Sequence, residues 1–298
     1  MPYKNISDKR LHDRRYWLKV KGEGPPAIST KYNMSVGTVQ KLAIPVPKHG
    51  LRIAVLTDAQ VMPGVPMEHL AWYGQYIAEK KPDVIVCIGD FGDFPSLSKF
   101  GRGERDFAGH RWAKDLAAFH EGMQLFLGPI DEAKAAAPTW RPAMEFCEGN
   151  HESHIDRITQ EFPILEGTID KSDLCLEEYG WRVHAFLQPI SIGGVAFCHY
   201  FPSGVMGRAT TSPAQILSKL HMSVFAGHQQ GREIAYARRA DGGNLTAIIS
   251  GSFYQHKYKF LSPFTNAHWR GTYFLHEVRD GQFDEMALSI DYLRRRYG

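Results

Sequence analysis

The most constraining feature of this sequence is a set of short apolar runs that end abruptly in polar residues. The clearest is the run over residues 83–90, which is rich in Val and Ile and ends at Gly89 and Asp90. Runs of this kind are typical of buried strands in a sheet that is covered on both faces. Side chains just beyond such strands lie at the sheet edge where open α/β folds bind ligands. The run therefore predicts a buried strand with a candidate functional carboxylate at its end.

Four further apolar runs end in the same way. They cover residues 52–57, 143–147, 195–198 and 223–226. The polar residues that follow the five runs are Asp58, Gln60, Asp90, Asn150, His151, Glu152, His199, His228 and Gln230. One buried histidine is ordinary in a protein core, but core packing does not explain polar residues at five successive strand ends. We therefore expect these side chains to form one functional site.

The pattern between these runs predicts an α/β fold. Helical spacing predicts helices over residues 67–81 and about 110–137, and the first of these joins two strands, which implies a parallel pair with a right-handed crossover. Beyond Gly227, alternating runs predict mainly antiparallel strands over residues 233–238, 245–250, 272–278 and 283–290. Paired glycines at Gly193 and Gly194 predict a tight hairpin.

Composition limits the class of protein. The chain has 298 residues, of which 43% are hydrophobic and 22% charged, as in an ordinary globular protein. It has no apolar run of the length that crosses a bilayer, so we expect no membrane association. The four cysteines show no paired spacing and three lie in predicted strands, which indicates reduced core residues in a cytoplasmic protein and argues against a zinc–cysteine site.

Basic charge is concentrated at the N-terminus. Residues 1–50 carry a net charge of +7 and the remainder carries −4, which suggests a polyanionic partner. Helices are predicted over residues 7–21, 26–32 and 35–42, and the last two, joined by a turn at Asn33-Met34, resemble a helix-turn-helix module. That resemblance implies that Ser35, Thr38, Gln40 and Lys41 face the DNA major groove. A solvated basic tail, or a helical appendage packed on the main domain, is the alternative.

These observations predict two units. Residues 1–47 form the basic module and its linker, and residues 48–298 form the main domain. A segment over about residues 101–142 separates two of the motif strands, and we interpret it as an insertion over the site. Its basic residues would face a phosphate backbone, or simply form a solvated helix face.

The strand-end motifs together resemble the calcineurin-like metallophosphoesterase family. The matching motifs are Gly89-Asp90, Gly149-Asn150-His151-Glu152, His199 and Gly227-His228, and the resemblance covers roughly residues 51–252. It implies a four-layer α/β/β/α sandwich with the site at the strand ends. It also implies hydrolysis of a phosphate ester, in which metal ions activate water and neutralise the phosphoryl charge.

The resemblance assigns a role to each candidate residue. Asp90 bridges two metal ions, and Asn150, His199 and His228 complete the shell of one of them. Asp58, Gln60 and Gln230 surround the other ion. His151 contacts the scissile phosphate and protonates the leaving group, oriented by either Glu152 or Asp93.

One metal site departs from the family pattern. Gln60 and Gln230 stand where the family has histidines, and an amide oxygen is a harder and weaker ligand than imidazole. We therefore expect up to two divalent ions per chain, with Mn²⁺ or Mg²⁺ favoured, and a glutamine-containing site that binds weakly or stays empty until substrate arrives.

The predicted function is phosphodiester hydrolysis by a nuclease that acts on DNA. The choice of DNA rests on the N-terminal module and the basic insertion rather than on the active site. A phosphomonoesterase or a cyclic-nucleotide phosphodiesterase would share the same core. The non-enzymatic alternative is a DNA-binding protein whose phosphoesterase domain has weakened activity or none.

Overall fold

A computed structural model describes residues 39–99, 109–203, 207–258 and 265–298. In these residues the chain has a mixed α/β fold with two six-stranded mixed sheets and five α-helices. The helices are α1 (Glu68–Lys80), α2 (Trp112–Ala136), α3 (Asn150–Glu161), α4 (Pro213–Leu220) and α5 (Ile290–Tyr297). The strands are β1 (Gln40–Lys41), β2 (Leu51–Leu56), β3 (Val84–Cys87), β4 (Ala143–Cys147), β5 (Arg182–His184), β6 (Ile190–Ile192), β7 (Val195–Cys198), β8 (Pro202–Ser203), β9 (Arg208–Ala209), β10 (Val224–Ala226), β11 (Arg232–Arg238), β12 (Asn244–Ser250), β13 (Gly271–Arg279) and β14 (Gln282–Ser289).

The order of strands brings the carboxyl ends of several strands together. The first sheet has the order β14-β13-β2-β3-β4-β5, in which β2 to β5 are parallel. The second sheet has the order β1-β6-β7-β10-β12-β11, in which β7, β10 and β12 are parallel. Strands β8 and β9 form a separate antiparallel pair. Each sheet therefore presents a row of parallel strand ends at one edge.

Three hydrophobic clusters hold the layers together. One lies between the first sheet and the helices α1, α2, α3 and α5, a second lies between the two sheets, and a third lies between the second sheet and α4. Successive side chains of β7 point to opposite faces of the sheet, so this strand contributes to two clusters. Val195 and Phe197 belong to the cluster between the sheets, whereas Ala196 and Cys198 belong to the cluster against α4. Both faces of β7 are buried, which accounts for its continuous apolar sequence.

Most of the predicted elements are confirmed within a few residues. The helix predicted over residues 67–81 is α1, the four alternating runs are β11 to β14, and the paired glycines form the hairpin between β6 and β7. Gly193 and Gly194 have φ angles of 57° and 86°, which glycine adopts without steric cost. The expectation of mainly antiparallel strands in the second half is only partly right, because β7, β10 and β12 pair in parallel.

The helix predicted over residues 35–42 is wrong at its C-terminal end. Gln40 and Lys41 form β1, which pairs in parallel with β6, and the Gln40 N–H donates to the Pro189 carbonyl oxygen at 2.9 Å. Pairing with a preformed sheet outweighs the weak local preference for helix. Ser35, Thr38 and the helices predicted over residues 7–21 and 26–32 lie outside the described residues.

Helix α2 confirms the helix predicted over residues 110–137. It buries Phe119, Met123 and Phe126 in the cluster beneath the first sheet, so this part of the predicted insertion belongs to the core. Arg111 and Lys114, at the start of the helix, are exposed. Arg102 and Arg105 lie outside the described residues. No helix in the described ranges is long and apolar enough to cross a membrane.

The C-terminal residues form helix α5, which the sequence pattern did not predict. The strand predicted to end at residue 290 ends at Ser289, whose hydroxyl accepts the Tyr292 N–H and caps α5. Leu293 lies on the buried face of α5, and Arg296 of the same helix forms an ion pair with Glu79 of α1 at 2.8 Å. The amphipathic pattern of this helix is short and includes three consecutive arginines, and for this reason the sequence did not predict it.

Candidate metal centre

The site lies where the strand ends of the two sheets meet. Asp58, Asp90 and Asn150 follow β2, β3 and β4 of the first sheet, and His199 and His228 follow β7 and β10 of the second. The His199 Nε2 atom lies 2.9 Å from the Asn150 Oδ1 atom, so side chains of the two sheets are in contact. The structure therefore brings these five predicted site residues together.

Four of these residues direct their ligand atoms at one another. His199 Nε2 lies 3.3 Å from Asp90 Oδ2, and His228 Nδ1 lies 2.7 Å from Asn150 Oδ1. Ligand atoms of Asp90, His199 and His228 all lie within 4.8 Å of one another. Atoms that are about 2.1 Å from a shared ion lie roughly 3.0–3.4 Å apart, so the spacing suits a divalent cation.

The hydrogen bonds of His199 support the same conclusion. Its Nδ1 atom lies 2.9 Å from the Ile88 carbonyl oxygen, so the Nδ1–H group donates there. In the neutral ring, the Nε2 lone pair then faces the oxygens of Asn150 and Asp90, and acceptors that face one another need a proton or a cation between them. Burial opposes protonation of the ring, but the Asp90 carboxylate favours a positive charge here and, without a metal ion, raises the pKa of His199 to about 9. The four donors therefore fit a divalent metal ion.

The residues predicted for a second ion are arranged differently. The Asp58 carboxylate accepts the backbone N–H of His228, with distances of 3.2 Å to Oδ1 and 3.0 Å to Oδ2. The Gln60 Oε1 atom accepts the hydroxyl of Tyr258 at 2.6 Å, and the Gln230 Oε1 atom accepts the hydroxyl of Tyr254 at 2.7 Å. All three predicted ligands thus already accept hydrogen bonds from the protein.

The sequence did not predict Tyr254 and Tyr258 as part of the site. The signal was present, since Tyr254, His256 and Tyr258 alternate in the chain shortly after β12 ends at Ser250. His256 stacks on Tyr254 with the ring centroids 4.4 Å apart, and among the described residues neither of its ring nitrogens has a hydrogen-bond partner.

Asp93, rather than Glu152, orients His151. The His151 Nδ1 atom lies 2.6 Å from the Asp93 carbonyl oxygen and 3.2 Å from its Oδ1 atom, so Nδ1–H donates to Asp93. This leaves Nε2, 3.7 Å from Asp90 Oδ2, as the atom available to a substrate. Burial opposes protonation of the ring, but the Asp90 and Asp93 carboxylates raise the pKa of His151 to about 9. With its side chain 23% exposed, His151 can hold a proton and present it to a ligand.

Glu152 holds the two loops of the first sheet together. Its buried carboxylate accepts the backbone N–H groups of Asp90 at 2.9 Å, Phe91 at 3.0 Å and Gly149 at 2.8 Å. Asp90 belongs to the loop after β3, and Gly149 to the loop after β4. Glu152 therefore fixes the position of Asp90 relative to Asn150.

The backbone at the site is strained. Gln60, Asp90 and His228 have φ angles of 42°, 50° and 67°, in the left-handed region that non-glycine residues rarely adopt. Such a conformation costs on the order of 1–3 kcal/mol, and it persists where the surrounding structure imposes it. At Gly149 an added Cβ atom would lie 2.1 Å from Asp90 Oδ1, so only glycine fits beside this carboxylate.

The residues predicted to bind DNA are only partly described. Gln40 is half-buried and Lys41 is exposed in β1, the edge strand of the second sheet. Strand β6 separates β1 from β7, which precedes His199. Neither residue contributes to the metal centre.

The residues at the strand ends define a candidate divalent-metal centre in a mixed α/β protein. Comparison with known families finds no family model that matches the chain. The chain is similar to the Gene 54 protein of Mycobacterium phage L5, with 26% identity over 243 residues that cover 78% of this chain and 90% of the phage protein. That name assigns no activity, so any function must be argued from the site.

Proposed function

We propose that the chain is a metal-dependent phosphodiesterase of the calcineurin-like metallophosphoesterase type that acts on DNA. The observation that carries the proposal is the convergence of Asp90, Asn150, His199 and His228, whose ligand atoms face one another across two sheets. These residues occur in the order and in the motifs that the family resemblance implies. The three hydrophobic clusters support the α/β/β/α arrangement as part of the same proposal.

In this proposal Asp90, Asn150, His199 and His228 hold a divalent ion, with Mn²⁺ or Mg²⁺ favoured. A bound ion of this kind neutralises charge on the phosphoryl oxygens and activates water. Asp93 holds the His151 Nδ1–H group, and this directs the Nε2–H group towards the leaving oxygen, to which it donates its proton. Glu152 fixes the position of Asp90 relative to Asn150 by accepting backbone N–H groups from both loops.

The choice of DNA as substrate has separate support. The first 50 residues carry a net charge of +7, which favours a polyanion. Arg111 and Lys114 add exposed positive charge at the start of α2. These features concern binding of the DNA phosphate backbone and not hydrolysis of the ester. The esterase activity and the choice of DNA can therefore be tested separately.

A second candidate is a DNA-binding protein whose phosphoesterase site is inactive. The observation that favours it is the presence of Gln60 and Gln230, which bond to tyrosines instead of lying free for a metal. An inactive protein would bind duplex DNA and leave both small esters intact.

The test compares hydrolysis of bis-p-nitrophenyl phosphate with that of p-nitrophenyl phosphate in the presence of Mn²⁺. We expect faster turnover of the diester, loss of turnover in Asp90→Asn and His228→Ala, and wild-type turnover in His49→Ala. His49 is an exposed histidine and serves as the matched control. Circular dichroism reports whether each variant is folded. If folded His228→Ala kept full turnover with Mn²⁺, Mg²⁺ and Zn²⁺, the site assignment would be wrong.

A further inference from the structure

Each of the two glutamines at the predicted second metal position bonds to a tyrosine. The Tyr258 hydroxyl lies 2.6 Å from Gln60 Oε1 and also hydrogen-bonds the Asp93 side chain, and the Tyr254 hydroxyl donates to Gln230 Oε1 at 2.7 Å. Gln60 is 4% exposed and Tyr254 is 1% exposed, whereas their partners Tyr258 and Gln230 are half-buried. Both tyrosines come from the segment that follows β12, which we call the tyrosine loop (residues 251–258).

The tyrosine loop is held by side chains from the following segment. The Arg270 guanidinium lies 4.5 Å from the centre of the Tyr254 ring, and it donates to the carbonyl oxygens of Tyr254 and His256. The Asn266 side chain accepts the Tyr258 N–H at 3.1 Å and donates to the Tyr258 carbonyl oxygen at 2.9 Å. These bonds fix the backbone beneath both hydroxyls, so the two pairs are built into the fold.

The donor sets at the two metal positions are different. At one position three groups converge around Asn150 Oδ1, namely the ring nitrogens of His199 and His228 and the Asp90 carboxylate. A cation bound among them would be coordinated by all four groups. At the other position the Asp58 carboxylate accepts a backbone N–H, and both glutamine oxygens accept phenol O–H groups. Two neutral amides whose oxygens are already engaged are poor replacements for imidazole. The residues at this second position do not fit a metal ion.

We propose that the site holds one metal ion. In place of a second ion, the amide N–H groups of Gln60 and Gln230, which Tyr258 and Tyr254 hold in position, donate hydrogen bonds to the phosphoryl oxygens of the substrate. An amide whose oxygen accepts a phenol O–H keeps two N–H donors for another acceptor. The pairs thus bind the phosphate without adding positive charge. This inference rests on the proposed function, since it concerns the substrate of the same site.

The number of ions tests the first part. The full-length protein is stripped with EDTA and titrated with Mn²⁺, with and without inorganic phosphate, and bound manganese is measured by mass spectrometry and electron paramagnetic resonance. We expect one Mn²⁺ per chain under both conditions and the spectrum of an isolated ion. Two ions bridged about 3.5–4 Å apart would give a coupled spectrum, and that result would overturn the inference.

A combined variant tests whether the tyrosine–glutamine pairs exclude the second ion. Gln60→His with Gln230→His supplies imidazoles, and Tyr254→Phe with Tyr258→Phe removes the hydroxyls while keeping the rings. The fourfold variant should bind two Mn²⁺ per chain. If it still bound one, with a melting temperature like that of the wild type, the pairs would not be what excludes the second ion.

Phosphate binding tests the second part. Tyr258→Phe should leave one Mn²⁺ per chain but raise the KM for bis-p-nitrophenyl phosphate and the inhibition constant of inorganic phosphate by roughly 5–10-fold, which is the effect of one lost hydrogen bond. Tyr292→Phe, in α5, is the matched control and should match the wild type. Unchanged phosphate inhibition in Tyr258→Phe and in Gln60→Ala would overturn this part. Two ions in an active enzyme would overturn the inference alone, whereas a chain that bound no metal and hydrolysed no ester would overturn the proposed function with it.

Discussion

The substitution Glu152→Gln gives the sharpest test of how the site is held together. Glu152 is fully buried, and its carboxylate accepts the N–H groups of Asp90, Phe91 and Gly149 at 2.8–3.0 Å. Glutamine has the same shape but only one accepting oxygen. Whichever way the amide turns, its N–H₂ group faces at least one backbone N–H, so one or more of these hydrogen bonds is lost.

The expected loss of stability follows from these bonds. A hydrogen bond to a charged group contributes about 1.5–3 kcal/mol, roughly twice as much as a neutral one. Glu152→Gln removes at least one such bond and weakens the others, and the lower cost of burying a neutral amide offsets part of the loss. We expect the free energy of unfolding to fall by about 3 kcal/mol. For a chain of this size, that corresponds to a fall of roughly 6–12 °C in melting temperature.

Urea unfolding followed by tryptophan fluorescence measures this change, and calorimetry measures Mn²⁺ affinity in parallel. We also expect weaker Mn²⁺ binding, because Glu152 fixes Asp90 relative to Asn150. Glu166→Gln is the control, since Glu166 is exposed and should change stability by less than about 0.5 kcal/mol. An equally small change in Glu152→Gln, with unaltered Mn²⁺ affinity, would refute the structural role assigned to this carboxylate.

Gly149→Ala should abolish tight Mn²⁺ binding in calorimetry, because the added Cβ atom would lie 2.1 Å from Asp90 Oδ1. The control Gly128→Ala should bind Mn²⁺ normally, because no atom beyond its chain neighbours and the helix backbone lies within 4 Å of a Cβ atom added there in α2. Burial lowers the pKa of His69 to about 3 from its ordinary value of 6.5, so stability should be complete above pH 6.5 and fall as the pH drops towards 3. Urea unfolding between pH 7 and pH 5 should show a shallower decline in His69→Gln, and an equally steep decline would contradict this assignment. Removing residues 1–38, which leaves β1 in place, should weaken duplex DNA binding and flatten its salt dependence without changing diester hydrolysis, and an unchanged salt slope would argue against DNA as the partner.

The sequence predicted the strands well because their pattern is strong. Strands buried on both faces, such as β3 and β7, are continuous apolar runs, and the polar residue at the end of each run marked the site. The structure brings Asp90, Asn150, His199 and His228 together as this pattern predicted. Parallel strand ends share one sheet edge, so residues far apart in the chain can be expected to lie together.

Elements that depend on distant contacts were beyond reach of the sequence pattern. Strand β1 has two residues and exists only through its pairing with β6, so no local periodicity could mark it. The contacts of Tyr254 and Tyr258 with the two glutamines depend on the path of the tyrosine loop, which Arg270 and Asn266 fix from elsewhere in the chain. The choice between Asp93 and Glu152 as the partner of His151 likewise depends on how the loop after β3 folds back on α3.

Anomalous diffraction at the manganese edge, from crystals grown with Mn²⁺, locates the ion that we propose at the strand ends. We expect a peak bonded to Asp90 Oδ2, Asn150 Oδ1, His199 Nε2 and His228 Nδ1 at distances of about 2.0–2.3 Å. Well-ordered side chains at these four positions with no peak between them, or a peak bound only by other residues, would contradict it.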